Sequence, residues 1–191
     1  MSSIKGIFLC AVFVTLGSLA QAQKYDYRLL ATSRTSTMEK EMNQAAEAGY
    51  VFGSVMGGET GMGGKEVVVV MMKNSDAPAA KKIYKLLATS KTSTMQKELQ
   101  QSGDEGFDYC GQTVFASAMG GREVAVILER DPVSGPKHVE FKLLATTKTS
   151  TMQKELNEAG AEGFEFLAVM VGKTAFGGSE TISILKKVPK K

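Results

Sequence analysis

The chain has 191 residues, 43% of them hydrophobic, which is enough to bury a core. Its 23 basic and 20 acidic residues give a net charge of +3, too balanced to mark a nucleic-acid or anionic-membrane binder. With two cysteines and one histidine, it is neither a disulfide scaffold nor rich in histidine chemistry.

The chain opens MSSIKGIFLCAVFVTLGSLAQAQ. Lys5 supplies a positive start, 6–19 is apolar but short of the ~18 residues of a helical span, and Ala20-Gln21-Ala22 is a small-x-small site. The pattern predicts a secretory signal peptide over 1–22, cut after Ala22, and a periplasmic or secreted protein with no stable membrane span afterwards. Removal of Lys5 leaves 22 basic against 20 acidic residues, a net charge of +2. Cys10 leaves with the signal. Cys110 remains alone, so no intramolecular disulfide forms and the core must hold the fold. The basic tail 186–191 reads as a solvated terminus.

The mature chain is a threefold repeat in fixed register. Tyr27, Tyr84 and Phe141 are spaced 57 residues apart, and Gly49, Gly106 and Gly163 keep the same spacing. The repeats are 24–73, 82–130 and 139–187. Each starts with a strand: YRLLAT, YKLLAT or FKLLAT. A polar turn and a helix follow. Ser36, Ser93 and Ser150 stand three residues before Glu39, Gln96 and Gln153, the spacing of a capping box. Met38 with Met42, Met95 with Leu99, and Met152 with Leu156 form an apolar face, extended by Ala45, Ser102 and Ala159. Gly49, Gly106 and Gly163 stop the helix. Two strands joined by glycine-rich connectors complete each βαββ unit, and the Gly-Gly pairs at 63–64, 120–121 and 177–178 suit hairpins.

Residues 73–83 and 130–139 are polar, contain proline and read as linkers; His138 lies in the second as a solvated residue. The run at 67–72, VVVVMM, is apolar on both strand faces and asks for cover on both sides. A unit of about fifty residues has little core of its own. The predicted fold is therefore α+β, about nine strands and three helices in one body with pseudo-threefold symmetry. The sheets meet inside and the helices lie outside, with strand order second, third, first in each unit.

The stretch LNEAGAEGFEFL, 156–167, resembles the bacterial family catalogued as domain of unknown function 4177. Its units combine a short strand, a helix ending in a related glycine-glutamate stretch, and two further strands. QSGDEGFD at 101–108 is a second partial match, and AAEAGY at 45–50 a weaker one. The resemblance implies a small bacterial βαββ module and no particular activity.

Between the second and third repeats the first strand, turn and helix start are nearly identical, whereas the hairpins differ. A binding loop would explain this. Arg34, Thr35 and Ser36, with Lys91, Thr92 and Ser93 and with Lys148, Thr149 and Ser150, place a cation among hydroxyls at a helix N-terminus. Free N–H groups and the positive dipole end favour an anion there, and sugar hydroxyls or a protein partner also suit the surface. The plainer reading, which we weigh more heavily, is architecture: serine caps and threonine ends the strand. Lys40, Lys97 and Lys154 beside Glu41, Glu98 and Glu155 read as a solvated helix face. Glu66, Glu123 and Glu180 bind a cation only if brought together. Cys110 aligns with Gly53 and Leu167, which favours packing over thiol chemistry.

No nucleotide, zinc or serine-hydrolase signature occurs, so no cofactor, metal or enzyme is expected. The expected protein is an exported, non-catalytic repeat protein binding a small ligand or an envelope protein through its repeated loops, with no nucleic-acid partner. The alternative is a structural or assembly component of the bacterial cell envelope, contacting other subunits through sheet edges.

Overall fold

A computed structural model describes residues 24–59, 65–78, 81–89, 91–116, 122–133, 137–173 and 178–188. The expected signal peptide, the Gly-Gly pairs at 63–64 and 120–121, and Gly177 lie outside these residues.

Among the described residues, nine strands and three helices follow one another along the chain: β1 (Tyr25–Thr32), α1 (Thr35–Glu47), β2 (Val51–Glu59), β3 (Lys65–Asn74), β4 (Ile83–Thr89), α2 (Thr92–Asp104), β5 (Asp108–Ala116), β6 (Arg122–Arg130), β7 (Glu140–Thr146), α3 (Thr149–Ala161), β8 (Glu165–Lys173) and β9 (Ser179–Lys187). They form three antiparallel three-stranded sheets, ordered β1-β3-β2, β4-β6-β5 and β7-β9-β8. This is the expected order. Each unit's last strand takes the centre, where both of its edges are hydrogen-bonded.

The helix starts differ from expectation. Arg34, Lys91 and Lys148 are the cap residues, and Ser36, Ser93 and Ser150 lie inside the first turn with no side-chain cap bond. The reason is local. Thr32, Thr89 and Thr146 each accept the N–H of the cap residue two positions on, at 3.2 Å. This turns the chain before the serine is reached. The cap carbonyls of Arg34, Lys91 and Lys148 then accept from Met38, Met95 and Met152 at 3.0–3.1 Å. The helix ends match expectation. Gly49, Gly106 and Gly163 have φ of 88°, 85° and 90°. The Gly49 N–H donates to Ala46 and the Tyr50 N–H to Ala45, a Schellman motif that recurs in the other two helices.

Strand pleating gives each sheet two faces. In the first sheet, Val67, Val69 and Met71 lie under Met38, Met42 and Ala45 of α1. Tyr84, Ala125 and Ile127, from the far face of the second sheet, complete the same buried cluster. The arrangement repeats one step on: Val124, Val126 and Leu128 pack with Met95 and Leu99 of α2 and with Phe141, Ile182 and Ile184 of the third sheet. At about 25 cal/mol per Å² of apolar area, these shared clusters bind the sheets into one stack rather than separate beads. The third sheet's helix side holds a smaller cluster, Ala159, Phe164 and Leu185, flanked by Leu144 and Leu156. Met152 is only half-buried there, whereas its equivalents Met38 and Met95 are buried.

Each second strand bulges at one aligned point: register shifts fall between Phe52 and Ser54, Tyr109 and Gly111, and Phe166 and Ala168. Gly53, Cys110 and Leu167 are the extra residues.

Candidate functional site

The three strand–helix corners share one geometry. The caps Arg34, Lys91 and Lys148 have φ/ψ of −125°/123°, −113°/119° and −123°/127°. All three are exposed, and among the described residues none of their side chains makes an ion pair or hydrogen bond. Ser36, Ser93 and Ser150 are exposed beside them. Thr35 and Thr92 are half-buried and Thr149 is exposed. Each corner therefore presents a cation and a hydroxyl next to backbone N–H groups with no helical partner, an arrangement suited to an anion.

The Thr92 hydroxyl is already engaged by the Glu180 carboxylate. Lys91, Thr92 and Met95 line a cleft with Met170, Gly172 and Ile182 that leaves about 10 Å³, room for about one water. A ligand at that corner would sit on the surface rather than inside. Glu180 is thus committed to Thr92, and among the described residues no three His, Cys, Asp or Glu side chains are grouped to hold a metal.

The residues that sequence reasoning assigned to capping do something else. The Glu39 carboxylate accepts the Leu86 N–H at 2.8 Å, and Asn43 both donates to the Tyr84 carbonyl and accepts the Tyr84 N–H, each at 2.9 Å. One helix turn thereby closes the outer edge of β4. In the next unit, Gln96 accepts from the Leu143 N–H at 2.7 Å and donates to the Phe141 carbonyl at 2.9 Å, while Gln100 accepts the Phe141 N–H at 3.0 Å. The matching pair in α3, Gln153 and Asn157, bond each other at 3.1 Å and are exposed. The sequence signal was there: a polar pair four residues apart, present in all three helices.

Further contacts tie the joints. The Tyr84 hydroxyl, inside the first joint, accepts the Phe52 N–H at 2.8 Å. Burial raises its pKa. In the second joint Lys186 meets both oxygens of Asp108 at 2.8 Å, and Gln112 donates to the Val169 carbonyl at 3.0 Å. His138 is half-exposed, its Nδ1 3.2 Å from Asp104. Its neighbour Val139 donates to the Gly103 carbonyl at 3.1 Å.

Cys110 packs against the first buried cluster. Burial, then Glu129 and Asp108, push its thiol well above the ordinary range. A thiolate nucleophile is thus disfavoured, in line with the packing reading.

No protein-family model, curated protein or solved structure matches this chain. Among the described residues, no helix is long and apolar enough to cross a membrane.

Proposed function

We propose that the chain is an exported, non-catalytic repeat protein, periplasmic or secreted, that works through surfaces presented three times. The supporting observation is the exposed, unpaired cation at each helix N-terminus: Arg34, Lys91 and Lys148. An anionic or sugar-like group, free or on an envelope protein, fits there because the caps supply charge and the helix starts supply N–H donors. Arg34→Glu, Lys91→Glu and Lys148→Glu together test this, with a sulfated polysaccharide as the probe. Binding should fall at least about tenfold while the urea midpoint stays put, because exposed charges contribute little to stability. Unchanged binding removes the corners as the site, and a large loss of stability assigns them to architecture.

A second reading is a structural or assembly component of the bacterial cell envelope. It draws on a different observation: Tyr25, Tyr27, Leu29 and Met56 on the first sheet, and Phe166, Val169 and Val171 on the third, are exposed large hydrophobic residues. A pseudo-threefold body closed within one chain would lay α3 over the β1 edge. Tyr27 and Leu29 of that edge are 61% and 67% exposed, so we favour a repeated step from unit to unit over closure.

A further inference from the structure

The two internal joints are built alike. A helix closes the outer edge of the following unit's first strand, and the sheet face beneath that helix receives the far face of the following sheet. Half of such a joint stands open on each side of the stack.

On one side is the far face of the first sheet. Tyr27 and Leu29 occupy the register of Tyr84 with Leu86 and of Phe141 with Leu143. Tyr84 and Phe141 are 2% and 3% exposed, whereas Tyr27 is 61% exposed. Tyr25 and Met56 share that face by strand alternation and are exposed too.

On the other side is the helix-bearing face of the third sheet. Phe166, Val169 and Val171 lie on it, exposed, although their equivalents Phe52, Val55 and Val114 pack into the joint clusters. Gln153 and Asn157 have the chemistry and spacing of Glu39 with Asn43 and of Gln96 with Gln100, but no strand to engage among the described residues. Gly160 aligns with Gly103. A Cβ on Gly103 would lie 2.1 Å from the Val139 carbonyl oxygen, whereas one on Gly160 would meet nothing within 4 Å.

We propose that the α3 side of one molecule seats the β1 side of a second copy of this chain, head to tail, repeating the internal joint between molecules. Tyr27 would take the place of Phe141, with Gln153 and Asn157 bonded to the backbone of Tyr27 and Leu29. A copy of this chain is the occupant because each open surface already has its complement twice inside the molecule. The contact is heterologous, so successive molecules form a ring or an open filament according to the rotation per step. The inference gives the assembly reading a specific partner and stands apart from the corner reading. Ligand loss with intact assembly, or the reverse, tells the two apart.

Light scattering of the processed, exported chain over a wide concentration range is the test. The expected mass rises with concentration in whole multiples of one chain. Leu29→Asp blocks the head and Gly160→Arg blocks the tail, and each weakens association by about 30-fold or more. Both positions are open, so circular dichroism and urea midpoints should match the parent chain; Tyr27→Ser and Gln153→Arg serve as second blocks. The two blocked variants, mixed, should form a dimer and nothing larger, because one free head and one free tail remain. A chain monomeric at every concentration overturns the proposal, and so does a tail-blocked variant that still assembles like the parent or a mixture that fails to dimerise.

Discussion

Gly103 offers the sharpest probe of the joint between the second and third units. In Gly103→Ala the new methyl would lie 2.1 Å from the Val139 carbonyl oxygen and 3.0 Å from the Phe141 ring, where ordinary contact begins at 3.4 Å. The strand entering β7 must retreat by more than an ångström, with the loss of the Val139 N–H bond to the Gly103 carbonyl. Overpacking of this kind costs about 1–3 kcal/mol and the hydrogen bond about 1 kcal/mol. Alanine returns about 1 kcal/mol through its helix propensity. The net loss is about 1–3 kcal/mol, read as a lower urea midpoint with an unchanged slope. Gly160→Ala is the matched control, at the same helix position with open space around it. In dilute solution it should stabilise by about 0.5–1 kcal/mol, because only the propensity remains. If both substitutions move the midpoint the same way, the joint does not pass over Gly103 as described.

Gln96→Ala removes two bonds to β7, including the acceptor for a half-buried Leu143 N–H, and should cost about 1–3 kcal/mol in urea unfolding, whereas Gln153→Ala should stay within about 0.5 kcal/mol. Alkaline pH should unfold the chain progressively. Burial, with a smaller contribution from Cys110, pushes Tyr109 up to about 12 from 10.0, so the fold favours the neutral phenol. That stability is fully present below pH 10 and is lost as pH rises towards 12. Tyr109→Phe should flatten this part of the urea midpoint's pH profile, and an unchanged profile would refute the assignment. Cys110 should resist iodoacetamide at pH 8 in the native chain and react fully in urea; ready labelling of the native thiol contradicts its burial.

Much of the unit was legible because its signals are local. The glycines at 49, 106 and 163 mark helix ends through a backbone conformation that other residues resist, and they hold that conformation. The apolar run at 67–72 reads as a strand, and β3 carries it. The helix starts misled because serine followed by Glu or Gln three residues later fits a capping box and equally fits a helix that begins one residue before the serine. What decides between them is the destination of Glu39 and Gln96, and their partners lie 47 residues away on another unit's strand. Local spacing carries no information about such a bond. The same holds for the corners: the sequence placed Arg34, Lys91 and Lys148 beside helix starts, but that Thr92 engages Glu180, 88 residues on, follows only from the stacking of sheets.

The helix-to-strand clamp also has a direction. α1 precedes the β4 edge it closes, and α2 precedes β7. As the chain emerges during synthesis, each of these edges meets a cover made before it, so neither waits exposed to pair with a stranger. Reordering the chain so that β4 is made before α1 would keep the helix-to-strand bonds of the folded state yet lose that protection, and aggregation during synthesis, not final stability, would register the difference.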